Sequence, residues 1–258
     1  MSDKPRLLCL CPTYGRRPEL LENCLACFEA QDYGNAALFV YDDLGNIRPQ
    51  SGHGWMVEST TARCPSLPAK YDTMLALCRK THNFAAVVVF EDDDLFAPWH
   101  LSAIAAAFEA GASWCHPQQV WTTCKNPPNP ELEPSGGRFH ASLAIRRDVI
   151  ESLGGWIGTQ VPGHEKRADF DLRLIGKLHA VFGPPARYDT IHPQGPSYVF
   201  RWADTGHMHG EAITRGPEDE TWYDRFEPAH TATIDKLVPR LDANGQRTLA
   251  AIDGTETT

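Results

Sequence analysis

Residues 85–98 have the sequence AAVVVFEDDDLFAP, in which six apolar residues run directly into four consecutive acids. An apolar run without polar alternation is typical of a central parallel strand that is covered on both faces. In open α/β sheets, ligands bind beyond the carboxyl ends of such strands, so the acids at 91–94 fall where a ligand is expected. The proline at position 98 is typical of the first turn of a helix. The stretch therefore predicts a buried strand, a ligand-binding turn and a helix.

The acidic run at 91–94 has two explanations. Four adjacent carboxylates repel one another, and they stay ionised together when a positive charge lies between them; a divalent cation with oxygen ligands supplies that charge. The alternative is a solvated acidic turn that caps the following helix, since aspartate stabilises a helix N-terminus. Capping requires only one acid, and a buried strand rarely ends in four. The sequence therefore predicts a metal site.

The size and charge of the chain limit its function classes. It has 258 residues, of which 42% are hydrophobic and 22% are charged, a composition expected for one large globular domain. A net charge of −9 gives no global basic field, so nonspecific binding of nucleic acid is not expected. No apolar run has the length of a signal-peptide core or a membrane span, which predicts a cytoplasmic protein whose 8 cysteines are thiols.

Predicted strands and helices alternate along the first part of the chain. Short apolar runs that end at proline, acid or polar residues indicate strands at 7–11, 37–41, 55–58 and 85–90. Apolar stripes at helical spacing indicate helices that begin at Pro18, Lys70 and Pro98. This alternation predicts an α/β fold with a mostly parallel sheet, right-handed crossovers and helices on both faces.

The regular alternation ends after Gly111. Residues 126–137 are rich in proline and glycine, which predicts an exposed loop. Residues 184–217 mix glycine, proline, histidine and aromatic side chains, as expected for irregular structure folded over a site. The other elements predicted in this half are a strand at 139–145, helices at 148–153 and 167–178, and a modest C-terminal helix from position 235.

Four segments of the chain, taken in order, resemble those of one enzyme family. They are CPTYGRRP at 11–18, VYDDLGN at 40–46, FEDDD at 90–94 with Pro98, and RADFDLRL at 167–174. Their order and spacing resemble the family-two glycosyltransferases of the GT-A fold, over about Leu7 to Gly210. The chain departs from that family's pattern where Leu44 replaces the usual glycine and where Ala168 stands in place of a common glutamate.

The resemblance implies a single GT-A domain over 1–258. Residues 1–111 are expected to bind a nucleotide-sugar donor such as a UDP-sugar, 112–216 to bind the acceptor and cover the site, and 217–258 to form an extension. The donor-binding residues that it implies are Pro12, Thr13, Tyr14, Arg16, Asp42, Asp43, Lys70 and Asp92.

The resemblance also implies a Mn²⁺ or Mg²⁺ site in the acidic run. Both ions suit carboxylate, diphosphate and water oxygens. Counting back from Pro98 favours Asp93 as the principal ligand, with Asp94 beside it. The run can also be registered as Glu91-x-Asp93 or as Asp92-x-Asp94, and the sequence leaves this open.

Three later residues complete the expected site. His207 and His209 are candidate metal ligands or diphosphate donors, although a His-x-His pair in a polar loop is often only solvated. Asp169 matches the acid that serves as catalytic base in the family, and it implies inversion by direct displacement on the sugar. Its alternative role is that of a helix-capping acid.

The expected reaction is metal-dependent transfer of a sugar from a nucleotide diphosphate to a hydroxyl acceptor, which the sequence does not identify. A nucleotidyltransferase is the first alternative, because it also places acids at strand ends. Enzymes of that class carry a glycine-rich basic loop after the first strand, and Pro12-Thr13-Tyr14 lacks it. A noncatalytic nucleotide-sugar-binding protein is the second alternative, and the acids Asp93 and Asp169 argue against a decayed site.

Overall fold

The fold was analysed in a computed structural model that describes residues 4–13, 18–80, 83–122, 131–162 and 170–200, and two short strands at 240–241 and 247–248. The strands are β1 (Leu7–Thr13), β2 (Ala36–Asp42), β3 (Gln50–Gly52), β4 (Trp55–Ser59), β5 (Ala86–Val89), β6 (Leu95–Phe96), β7 (Trp114–Cys115), β8 (Gln119–Thr122), β9 (Glu131–Pro134), β10 (Ala144–Arg146), β11 (Tyr198–Phe200), β12 (Arg240–Leu241) and β13 (Arg247–Thr248). The α-helices are α1 (Pro18–Glu29), α2 (Leu67–Arg79), α3 (His100–Glu109), α4 (Arg147–Ser152), α5 (Phe170–Phe182) and α6 (Tyr188–Ile191).

A seven-stranded sheet with the order β3-β4-β2-β1-β5-β10-β7 forms the centre of the fold. β1 pairs in parallel with both β2 and β5, and β2 pairs in parallel with β4. β3 and β10 run antiparallel to their neighbours. The predicted α/β class with a mostly parallel sheet is confirmed.

The strand predicted at 85–90 lies inside this sheet, between β1 and β10. All four residues of β5 are buried, as expected for an unbroken apolar run that is covered on both faces. Its register sets Leu7 opposite Ala86 and Leu10 opposite Val89. The segment that follows β5 therefore leaves the sheet beside the end of β1.

Three parallel strands end at one edge of the sheet. Thr13 is the last residue of β1 and pairs with Asp42, the last residue of β2. The acidic run at 91–94 begins two residues after β5 ends. Because parallel strands present their carboxyl ends on the same side, this edge collects the predicted donor-binding and metal-binding residues.

A second, four-stranded sheet with the order β6-β11-β8-β9 adjoins the acidic run. β6 follows the acids directly, so the helix predicted from Pro98 begins slightly later, at His100. The loop predicted at 126–137 is wrong for Glu131–Pro134, which is largely exposed as expected but pairs antiparallel with β8. That strand lies at the sheet edge, where a terminal proline is tolerated because its missing N–H breaks no ladder bond.

The strand predicted at 139–145 is also shorter than expected. Only its end is extended, in β10, while His140–Ser142 forms a 3₁₀ turn. Phe139 has a left-handed backbone with φ 68°, and the Ser142 hydroxyl donates to the Phe139 carbonyl at 2.6 Å. This local side-chain bond competes with sheet pairing, which explains the turn.

The C-terminal helix predicted from position 235 is wrong for the four residues described there. β12 pairs with β13 in an antiparallel ribbon, with Arg240 opposite Thr248 and Leu241 opposite Arg247. Within the described ranges, no helix has both the length and the apolar character needed to cross a bilayer.

Candidate active site

Three buried acids converge beyond the end of β5. Glu91, Asp93 and Asp94 are 8%, 5% and 0% exposed, and each offers an oxygen within 4.8 Å of the others. A set of carboxylate oxygens is the donor chemistry that Mg²⁺ and Mn²⁺ prefer, so these residues fit a divalent cation. The structure places the predicted ligands Asp93 and Asp94 together. It also places Glu91 with them, a residue that the sequence made a ligand only if the run is registered as Glu91-x-Asp93.

Asp92 faces a different partner from the other three acids of the run. Its Oδ2 atom accepts a hydrogen bond of 2.6 Å from the Thr13 hydroxyl, and both side chains are buried. This bond ties the acidic run to the end of β1, where the nucleotide is expected. The predicted donor-side residues Thr13 and Asp92 are therefore in contact, while the neighbouring Pro12 is half-buried on the same strand end.

Two tyrosines hold the outer members of the acidic group. The Tyr71 hydroxyl donates to Glu91 Oε1 at 2.7 Å, and the Tyr198 hydroxyl donates to Asp94 Oδ2 at 2.5 Å. Burial, with the nearby acids adding to it, raises the pKa of both tyrosines well above the usual value. Both phenols therefore stay protonated donors and fix the orientation of the carboxylates that they contact.

Asp42 organises the loop after β2. Its carboxylate accepts hydrogen bonds from the backbone of Leu44 at 2.9 Å, Asn46 at 2.6 Å and Ile47 at 2.8 Å, and from the Ser59 hydroxyl at 2.9 Å. These bonds shape the turn that contains Leu44, which stands where the family that the sequence resembles has a glycine. Direct binding of a base or ribose by Asp42 stays a prediction.

Lys70 and Asp43 form a buried ion pair at the same edge. Lys70 Nζ lies 2.7 Å from Asp43 Oδ1 and 2.6 Å from the Thr13 carbonyl oxygen. Asp43 also contacts Arg63 Nη1 at 3.2 Å and the Cys64 N–H at 2.9 Å. Burial lowers the pKa of Lys70, and Asp43 opposes that shift. Helix α2 thereby links the ends of β1 and β2.

Asp43→Asn is expected to lower the free energy of unfolding by about 3–5 kcal/mol, because it leaves a buried ammonium without its carboxylate. Lys70→Met is expected to cost less, since Asp43 keeps Arg63 and the Cys64 N–H. Urea denaturation of both variants measures the difference.

A matched control for this ion pair is Asp148→Asn. Asp148 pairs with Arg146 on the surface, where both side chains are exposed, and its loss is expected to cost about 0–1 kcal/mol. An Asp43→Asn variant as stable as Asp148→Asn contradicts a structural role for the buried pair.

Several residues of the site have no sequence signal that identifies them. Tyr71 lies in the helix predicted from Lys70, and Tyr198 lies in the irregular region predicted at 184–217. His140 falls in the strand predicted at 139–145, and no role is predicted for Trp156. His140 contacts Glu91 directly, and Trp156 contacts it through His140. Their partners lie far away in the sequence, so no local pattern identifies them. Among the predicted residues, Tyr14, Arg16, Asp169, His207 and His209 lie outside the described ranges and remain predictions.

Comparison with known proteins gives matches in structure alone. No protein-family model matches the chain, and no curated protein matches its sequence. S. aureus TarS 1–349 matches with a TM-score of 0.52 and 12% identity over 76% of this chain, and its complex with UDP-GlcNAc matches with 0.54 and 12% over 85%. The mannosyltransferase PcManGT from Pyrobaculum calidifontis, in complex with GDP-Man and Mn²⁺, matches with 0.51 and 18% identity over 91%.

These matches cover 60%, 64% and 65% of the lengths of the solved structures. At such low identity, a structural likeness establishes the fold and leaves the substrates open. The mostly parallel sheet, with acids beyond its central strand, agrees with the resemblance found in the sequence. The chain has a GT-A-like glycosyltransferase fold.

Proposed function

We propose that this protein is a metal-dependent glycosyltransferase that moves a sugar from a nucleotide diphosphate to a hydroxyl acceptor, with inversion. The observation that carries the proposal is the convergence of Glu91, Asp93 and Asp94 at the carboxyl edge of a GT-A-like sheet. Structural neighbours in complex with UDP-GlcNAc, or with GDP-Man and Mn²⁺, support a nucleotide sugar and a divalent ion as ligands.

In this proposal, one group of residues binds the cation and another binds the nucleotide. Glu91, Asp93 and Asp94 hold the cation, which when bound supplies positive charge for the leaving diphosphate. The loop after β1 and the linked pair Lys70 and Asp43 hold the nucleotide, and the Thr13 hydroxyl keeps Asp92 beside them. A UDP-sugar is the proposed donor, and Mn²⁺ or Mg²⁺ the proposed ion.

The remaining steps fall to residues outside the described ranges. Asp169 is proposed to accept the proton of the acceptor hydroxyl as that oxygen attacks the anomeric carbon. Tyr14 and Arg16 are proposed to contact the nucleotide, and His207 and His209 to contact the ion or the diphosphate. The acceptor is defined here only by its nucleophilic hydroxyl.

UDP is expected to raise the melting temperature only when Mn²⁺ or Mg²⁺ is present. A ligand that binds the native state alone stabilises it by about 2.7 kcal/mol at 100 times its Kd. The buried acids would repel the diphosphate unless a cation lies between them. Differential scanning fluorimetry with UDP, GDP and their sugars, each with Mn²⁺ or with EDTA, measures this dependence. Equal stabilisation by UDP in excess EDTA contradicts the metal-bridged site.

Release of UDP from a UDP-sugar distinguishes an enzyme from a protein that only binds the nucleotide sugar. We expect slow, metal-dependent hydrolysis of the matching nucleotide sugar even without an acceptor, because water can take the place of the acceptor hydroxyl. Pyrophosphate added to the same reaction tests for nucleotidyl transfer. A nucleotidyltransferase would consume it and form UTP and a sugar 1-phosphate from the UDP-sugar, whereas the proposed enzyme consumes no pyrophosphate and releases UDP and free sugar.

A further inference from the structure

Behind Glu91 lies a buried histidine whose hydrogen bonds determine where its proton sits. His140 Nδ1 is 3.3 Å from Glu91 Oε1, and His140 Nε2 is 3.0 Å from Trp156 Nε1. The indole nitrogen can only donate, so His140 Nε2 must accept and carry no proton. The proton of the neutral ring is then on Nδ1, which donates to Glu91.

Trp156 is itself fixed by helix α2. The Asp72 carboxylate accepts the backbone N–H groups of Trp156 at 2.7 Å and of Ile157 at 3.0 Å. Gly155 allows this approach, because it has φ +79° and a Cβ there would lie 2.2 Å from Asp72 Oδ1. The indole ring is stacked on Tyr71 with a centroid separation of 4.9 Å. Helix α2 thus supports both donors to Glu91: Tyr71 directly and His140 through Trp156.

The backbone before His140 is strained. Phe139 has φ 68°, a conformation that a non-glycine residue adopts at a cost of about 1–3 kcal/mol when its surroundings impose it. Its ring packs against Phe200 at 5.0 Å and against Tyr198 at 6.4 Å, and Tyr198 is the donor to Asp94. One short segment therefore supports two of the three converging acids.

We propose that Trp156 and His140 are positioning residues that orient Glu91 to complete the cation site with Asp93 and Asp94. The inference rests on the proposed metal-dependent function. It adds residues that contact the proposed ligand Glu91 and do not contact the cation themselves. A carboxylate within 4.8 Å of two others gains by rotating away from them. Hydrogen bonds from His140 and Tyr71 to the same oxygen, Oε1, oppose that rotation.

The decisive comparison is His140→Asn against His140→Gln. An asparagine amide N–H can occupy the position of Nδ1 and still donate to Glu91, whereas a glutamine amide reaches the position of Nε2, beside Trp156. Outer partners of metal ligands are typically worth about 10–100-fold in metal affinity. We expect a loss of that size in His140→Gln, and an affinity closer to wild type in His140→Asn. Electron paramagnetic resonance of free Mn²⁺, titrated into each protein without any nucleotide, measures the affinities.

Trp156→Phe tests the same pathway one step further out. Phenylalanine keeps an aromatic ring over Tyr71 and removes only the indole donor, so His140 should no longer be restricted to the Nδ1–H tautomer. ¹⁵N NMR of the histidine side chains reports that tautomer, and the spectrum of His140→Asn identifies the signal among the 11 histidines. We expect a mixture of tautomers in Trp156→Phe, together with weaker Mn²⁺ binding. Thermal melting in EDTA establishes that each variant is folded.

Equal Mn²⁺ affinities of the Asn and Gln variants overturn the inference, as does an Nε2–H tautomer in the wild type. If neither His140 variant folds, the Mn²⁺ affinity of Trp156→Phe decides alone, and an affinity equal to that of the wild type overturns the inference. These outcomes leave the proposed function intact, because the wild type still binds Mn²⁺. Failure of the wild type to bind Mn²⁺, with or without UDP, overturns both.

Discussion

Asp93→Asn is expected to fold normally and to lose metal-dependent binding of the nucleoside diphosphate. Asp93 is one of three buried acids whose oxygens lie within 4.8 Å of one another, so removal of one charge relieves repulsion in the metal-free protein. The same change removes a proposed ligand of the cation. Since even outer partners of ligands contribute roughly 10–100-fold to metal affinity, we expect a loss of more than about 100-fold in Mn²⁺ affinity.

Calorimetric titration of UDP in the presence of Mn²⁺ measures the effect of Asp93→Asn. The melting temperature in EDTA should be equal to or above that of the wild type. Asp148→Asn also removes one acid, from an exposed pair, and should bind UDP as the wild type does. Unchanged donor affinity in Asp93→Asn contradicts a cation site at Asp93 and means that the cation binds at another part of the chain.

Titration of Mn²⁺ without nucleotide, compared with the titration of UDP in the presence of Mn²⁺, tests the register of the acidic run. Glu91 lies with Asp93 and Asp94, whereas Asp92 is bonded to Thr13. Glu91→Gln should therefore weaken Mn²⁺ binding in the absence of nucleotide, and Asp92→Asn should act mainly on the nucleotide. If Asp92→Asn instead weakens Mn²⁺ binding and Glu91→Gln does not, the cation is bound in the Asp92-x-Asp94 register.

The fold and the position of the site were predictable because their signals are local. The apolar run that forms β5 and the acids after it are contiguous, and the rule that ligands bind beyond parallel strand ends converts their order into a location. Thr13 and Asp42 lie at the ends of their own strands, but their proposed role in donor binding came from the resemblance and stays a prediction. Lys70 required the resemblance as well, because nothing in an apolar helix face indicates that a lysine reaches two strand ends.

The side chains that contact the converging acids could not be predicted for the opposite reason. Tyr71, His140 and Tyr198 contact acids that are 20, 49 and 104 residues away from them in the sequence. His140 was also assigned to a strand, because an alternating stretch hides a turn that depends on a serine hydroxyl and a strained Phe139. β9 was missed because edge pairing with β8 compensates for a sequence typical of a loop.

Asp169→Asn is expected to leave donor affinity nearly intact and to reduce transfer sharply. Asp169 lies outside the described residues, immediately before α5, and its proposed role is to accept the proton of the acceptor hydroxyl. The donor diphosphate is assigned to the cation and to the strand ends of the first half, so its binding should not depend on Asp169. General-base assistance typically contributes about 10²–10⁴-fold, and a loss of that order at unchanged donor affinity marks an interaction made in the transition state.

Asp171, two positions further on, is the internal control for this base. Its carboxylate accepts the Leu172 N–H at 2.8 Å at the start of α5, a local bond that stabilises the helix end. Asp171→Asn should therefore keep transfer close to wild type. The assay is transfer to an acceptor identified by screening, with donor affinity measured in parallel. If Asp171→Asn abolishes transfer while Asp169→Asn retains it, the base is two residues from its proposed position; if both variants stay active, the inverting mechanism must be given up.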